Sequence, residues 1–416
     1  MPARDALSRA GGRPRSLSGR EALGIGNGTA FMTGYLALAV ARAERLLARA
    51  ERLVGWTYRT LGCRRDALDV RLHDARGHAG QIRSAAAIRA EVERGREAED
   101  TSRPLQEVYV IRCAPQILGA CRDNIVHARQ IVETEMNGAS DNPVTIGGDP
   151  LHGGNFQGQQ IAFAADALNA ASVQIGVFAE RLSDALTDPK RGVVDAPLLL
   201  AYDPGPTSGL AGVQMTATAL VAELRHHAQM ASTSSIPTNG GNQDIVSMGT
   251  LAARTAYDQT ERLAPVLASV GLALSQLSFL RAQGRAPGTP VQAPAWMPSV
   301  QGLRHDRPLH DDLARIADAW LEPHVNEGAS SNDGRSTYES RPTSERRPMN
   351  ENRPVRESRS MHENRSVNNR SVNQNRSVEE TPLPRTIAEL PQTAWISRPR
   401  QPARTSGRTR NHTVTA

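Results

Sequence analysis

The segment "QQIAFAADALNAASVQIGVFAERLSDAL", residues 159–186, repeats its apolar side chains in steps of three and four. Leu168, Ala171, Ile175, Phe178 and Leu182 therefore fall on one stripe of an α-helix, with the a/d spacing of packed helices. Two further stripes follow it. Leu210, Val213, Ala217, Leu220 and Leu224 mark a helix from Gly209 to about Ala231. Leu263, Leu267, Val270, Leu274 and Leu277 mark another from Ile245 to about Gln283, for which Asp244 is a candidate cap. Earlier in the chain, Leu36, Val40, Leu46, Leu47 and Val54 predict a helix over about 30–54. A helix over 117–136 ends in the turn "NGASDNP", and residues 84–104 read as a helix or an exposed loop. The fold class predicted is all-α, a bundle of long helices. Stripes this long exceed the usual helix of about 11–12 residues, so they are expected to bury one another across subunits of a homo-oligomer.

Composition agrees with this. Hydrophobic residues make up 39% of the chain and aromatic residues 4%, a balance that suits Ala/Leu-rich helices better than an aromatic-rich sandwich. Cys63, Cys113 and Cys121 have neither metal nor disulfide spacing, which places the chain in a reducing cytoplasm. The sequence has no uninterrupted apolar run of membrane-spanning length, so no membrane partner is expected. From residue 324 onward there are 16 arginines against 10 acidic residues, and this segment carries the whole net charge of +6. Lys190 is the only lysine. Such an arginine bias does not by itself read as nucleic-acid binding. The organisation expected is a loose leader over 1–20, a helical core over 21–324, and a tail over 325–416. The tail repeats "NRSV" and holds too little apolar surface to order itself.

Three polar clusters carry possible chemistry. In "EALGIGNGTAFMTG", Asn27 stands between glycines before a helix, either as a cap or as an amide offered to an anion at the helix start. In "LQEVYVIRCAPQ", Gln106, Tyr109 and Arg112 recur every three residues and would share a face on a helical or 3₁₀ turn. Arg112 could clamp a carboxylate through paired hydrogen bonds, or simply sit in an interface salt bridge. In "LHGGNFQGQQ", Asn155, Phe156 and Gln157 open the long helix and could cradle an anionic or aromatic ligand. The sequence contains no Gly-x-Ser-x-Gly, no His-Glu-x-x-His and no glycine loop with lysine, so no metal site is expected.

Together and in this order, "REALGIGNGTA", "HDARGHAGQI", "VYVIRCAPQILGA", "SDNPV", "HGGNFQGQQIAFAADALN" and "TNGGNQDIVSMGTLAAR" resemble the family of ammonia-lyases and aminomutases that use a methylidene-imidazolone (MIO) electrophile. The resemblance covers roughly 18–322. It implies a homotetramer around a central helical bundle and a small-molecule substrate, an aromatic amino acid. By position, Asn27 would contact the electrophile and the substrate's amino acid group, and Gln106 would support the electrophile. Tyr109 would assist proton traffic and Arg112 would hold the carboxylate. Asn155 and Phe156 would line the pocket, and Gln243 would face the substrate side chain, with Asn242 as its neighbour. A neutral amide at Gln243 leans toward phenylalanine or tyrosine, because histidine-specific members carry glutamate there. Elimination to an arylacrylate is the activity implied. A 2,3-aminomutase, a histidine ammonia-lyase, and a non-catalytic remnant or scaffold subunit are the alternatives. The family cyclises MIO from an Ala-Ser-Gly tripeptide, which these 416 residues do not contain. The chain is therefore expected to be the C-terminal two-thirds of such an enzyme, inactive as it stands.

Overall fold

Helices form where the three-and-four spacing predicts them. The computed structural model describes residues 1–322. Its helices are α1 (Ala3–Arg9), α2 (Gly19–Gly26), α3 (Ala30–Leu61), α4 (Val70–Arg76), α5 (Ala79–Glu93) and α6 (Tyr109–Arg112). They continue with α7 (Ala114–Met136), α8 (Gln159–Thr187), α9 (Ala211–His227), α10 (Gly249–Ala282) and α11 (His310–Leu321). One short hairpin, β1 (Val144–Ile146) with β2 (Asp149–Leu151), interrupts them after the cis Asn142–Pro143 bond. The all-α bundle expected from the sequence is the fold observed. The expected tail at 325–416 lies outside the described residues. The leader has more structure than its composition suggests. α1 forms there without a buried residue, and a Ser18–Glu21 capping box starts α2.

Four long helices form the core. α10 packs along both α8 and α3. These three run in one direction: Met32 of α3 lies against Gly249, Arg42 pairs with Glu261, and Arg281 bonds the Thr60 carbonyl. α7 runs opposite to α3, joined by Thr29–Glu135, Glu44–Arg129 and Glu51–Arg122. α9 runs opposite to α8, joined by Asp184–Gln214, Glu180–Thr218 and the Asp166 carboxylate on the Ala231 and Ser232 amides. α8 and α10 are long and apolar enough to cross a membrane, but most of their surface is buried within the bundle. A helix that is apolar on nearly all sides is the expected centre of such a core.

Two local expectations are corrected. Asp244 does not cap α10. Met248 occupies the N-cap position at φ 55°, no side chain caps the helix, and residues 244–248 lead into it without regular structure. Gln106, Tyr109 and Arg112 do not form one helical face either. Helix begins only at Tyr109, and Val108 before it is extended (φ −58°, ψ 155°), so Gln106 leaves the turn.

Candidate active site

The parallel packing of α3, α8 and α10 brings three helix N-termini to one place. Met32 is the hub. A Cβ at Gly158, the N-cap of α8, would meet its sulfur at 2.6 Å, and a Cβ at Gly249 would do the same. Gly158 also takes φ +66°, so glycine is required there twice over. Unpaired N–H groups at such ends favour negative charge.

Beside this junction lies a cavity of about 680 Å³. Met32, Phe156, Ile245, Val246, Met248 and Leu251 give it apolar walls; Gln157, Asn242 and Gln243 supply amides and Asp244 a carboxylate. Asn155 opens on an adjoining cavity of about 510 Å³, which shares Gly154 and Gln157 with the first, and its amide donates to the Ala139 carbonyl at 3.0 Å. Asn27 is exposed at the same end. Its N–H closes α2 on the Leu23 carbonyl at 2.8 Å, and the neighbouring Gly28 approaches Ser140 so closely that a Cβ would lie 2.8 Å from its carbonyl oxygen. Thr29 then donates to Glu135 at 2.5 Å, fixing the entry into α3.

The other predicted residues lie at the far end of the bundle. Gln106, Arg112, Cys113 and Gln116 line a cavity of about 800 Å³. Arg112 Nε and Gln116 Oε1 are buried there without a hydrogen-bond partner among the described residues. Buried polar atoms of this kind normally find a partner. Asp69 and Arg71 also line the cavity, and hydrogen bonds from Arg71 hold the Asp69 carboxyl down to about 2. Glu107 anchors the segment next to Gln106. It accepts two bonds from Arg103, which reaches on to the Val193 carbonyl. Tyr109 is 70% exposed and opens on a separate cavity of about 480 Å³ with Arg181, Asp184, Lys190 and Arg191. It still touches Arg112, whose guanidinium carbon stands 4.8 Å from the ring centroid.

The predicted residues thus form two groups. α8 has 29 residues, about 43 Å at 1.5 Å per residue. Phe156 precedes its first turn, while Arg181 and Asp184, near its last, share a cavity with Tyr109. One chain alone cannot bring Arg112 and Gln243 onto one small ligand. Met32, Gln116 and Asp244 line these cavities without having been singled out as site residues. Met32 and Asp244 sit inside the quoted clusters "FMTG" and "NQDI", and Gln116 closes the "RCAPQ" cluster, so their positions were available but their contacts were not.

Comparison with known proteins gives the family. Residues 1–295 match the aromatic amino acid lyase family, and the chain belongs to it. It is similar to a histidine ammonia-lyase of Paracidovorax citrulli, 36% identical over 332 residues, covering 77% of this chain and 64% of that protein. It is also similar to an MIO-dependent tyrosine 2,3-aminomutase of Streptomyces globisporus, 37% identical over 337 residues and covering 75% and 62%. The solved structure of the Streptomyces globisporus tyrosine aminomutase superposes with a TM-score of 0.67 at 36% identity, covering 76% of this chain and 65% of that one. The chain spans a little under two thirds of the length of these relatives.

Proposed function

We propose that this chain supplies the aryl-facing and carboxylate-binding parts of an ammonia-lyase acting on phenylalanine- or tyrosine-type substrates. The observation that supports the reading most is the cavity beside Met32. It places an aromatic ring, apolar walls and neutral amides from Phe156, Asn242 and Gln243 around a space that fits a substituted phenyl group. At the far end, the Nε of Arg112 has no partner among the described residues, which supports reading Arg112 as the group that binds a carboxylate. The two ends are some 40 Å apart on α8, so the complete site is assembled from several copies, and a homotetramer is the arrangement proposed.

The resemblance and the name of the Streptomyces relative imply MIO. Asn27 and Gln106, both exposed amides, would hold its polar atoms. The residues fit such a group, since Gln116 Oε1 in Gln106's cavity lacks a partner among the described residues. Where present, MIO would supply the electron-poor acceptor that makes an amine a leaving group. This chain's own residues do the remainder. Arg112 holds and orients the carboxylate, and the phenol oxygen of Tyr109 carries a proton. Phe156 and its apolar neighbours exclude water from the ring. The tyrosine 2,3-aminomutase relative favours a second reading, in which ammonia is returned to the β-carbon. The three free thiols fit a cytoplasmic setting.

Equilibrium binding of cinnamate, p-coumarate and urocanate to the full chain tests the reading. Saturable binding of the first two is expected, weakened about 10- to 100-fold by Arg112→Ala, as for lost charge-assisted bonds. Gln243→Glu should favour urocanate. Absence of binding by all three overturns the proposal. Turnover of phenylalanine or tyrosine by the chain alone separates an enzyme from a non-catalytic subunit.

A further inference from the structure

Phe156 reaches the Met32 cavity from an exposed segment. Residues 145–156 are all exposed, and the chain returns from the β1–β2 hairpin to α8 through Gly153 and Gly154, which have open space around them. Two hydrogen bonds close the base of this loop. Gly153 N–H donates to Asn142 Oδ1 at 2.9 Å, and Asn155 Nδ2 donates to the Ala139 carbonyl at 3.0 Å. A backbone carbonyl only accepts, so the second bond fixes the amide with its NH₂ toward Ala139. Ala139 is a firm anchor. It lies just beyond the end of α7, and its neighbour Ser140 is packed against Gly28. On the other side, Gly158 is wedged against Met32 and Thr29 and holds the start of α8. Phe156 thus sits between two fixed points, Asn155 and Gly158.

From this geometry we infer that Asn155 is a positioning residue. It clasps the base of the 139–155 loop and so aims the Phe156 ring into the Met32 cavity, while its own amide, engaged by Ala139, does not touch the ligand. The inference rests on the reading that the Met32 cavity holds the substrate ring. The two side chains serve different spaces: Phe156 lines the Met32 cavity and Asn155 the adjoining one. Without the clasp, nothing counters the backbone freedom of Gly153 and Gly154 just ahead of Phe156. The ring then samples positions outside the cavity, and ordering it on binding costs affinity.

The test pairs fluorine NMR with calorimetry on the full chain and on Asn155→Leu, a change that keeps the size of the side chain and removes its donor. Labelling with fluorophenylalanine gives one resonance for each of the five phenylalanines, and Phe156→Leu assigns that of Phe156. Asn155→Leu should shift or broaden the Phe156 resonance and leave the other four in place. In unlabelled chains it should weaken cinnamate binding about 5-fold, the scale of one hydrogen bond. Weaker binding with the Phe156 resonance unmoved makes Asn155 a direct ligand contact, and movement of all five resonances makes it a general support of the fold. Either result overturns the inference, as does an unchanged affinity, and each leaves the proposed function standing. If the unmodified chain binds no cinnamate, the proposed function falls, and the Phe156 resonance alone then decides the clasp.

Discussion

Removing Glu107 should be among the most damaging single changes in the described structure. Its side chain is 5% exposed and that of Arg103 12%, with paired contacts of 2.8 and 2.6 Å between them. Glu107→Ala leaves a nearly buried guanidinium with one remaining bond, 2.7 Å to the Val193 carbonyl. Breaking a buried pair on one side costs about 3–5 kcal/mol. Because Arg103 keeps that carbonyl and some solvent, the low end, about 3 kcal/mol, applies. Cys63 sits beside the pair, and burial followed by the Glu107 charge pushes its thiol well above the usual range. In urea unfolding followed by circular dichroism, 3 kcal/mol corresponds to a midpoint lower by about 1 M at a slope of about 3 kcal/mol/M. The double change Arg103→Met with Glu107→Leu removes both charges and should recover most of the loss. A shift below about 0.3 M for Glu107→Ala, or a double variant as unstable as the single, would refute the reasoning. Gln106 is adjacent in sequence, so the same single change should also weaken arylacrylate binding.

Glu51 offers a pH prediction. Burial pushes its carboxyl above the ordinary value, while Arg122 and Ser84 pull it back. Arg122→Met removes part of that restraint. A carboxyl whose folded value is raised stabilises the fold below its unfolded value, near 4.3, and loses that contribution as pH rises through the folded value. The stability gap between Arg122→Met and the unmodified chain should therefore be wider at pH 8 than at pH 5; a gap independent of pH removes Glu51 as its cause. Gly158→Ala should lower thermal stability through its φ of +66° and the 2.6 Å approach to Met32, whereas Gly153→Ala, with open space around it, should be nearly neutral. Adding Met32→Ala should relieve only the steric part, which a double-mutant cycle measures.

The long helices were legible because one-sided burial repeats at the helical period, as along Leu168, Ala171, Ile175, Phe178 and Leu182. α3 runs past the expected Val54 to Leu61, since Trp56, Tyr58 and Leu61 are buried and extend burial around the helix, which blurs the stripe. The start of α10 was misplaced because Asp244 has the chemistry of a cap while the chain around it serves the cavity. The partition of the site was not legible. Spacing joins Gln106, Tyr109 and Arg112, but the extended backbone at Val108 separates the cavities of Gln106 and Tyr109. Phe156 and Gln243 meet only because Met32 draws two helix starts together.

The central claim is that Arg112 and Gln243 serve one ligand from different copies of the chain. Co-expressing Arg112→Ala chains with Gln243→Glu chains and titrating the mixture with p-coumarate tests it most directly. If the site is shared, random assembly returns about one quarter of the sites with both residues intact, binding at the unmodified affinity. If no such fraction appears while each variant alone assembles normally, the two residues do not meet across subunits and the account is wrong.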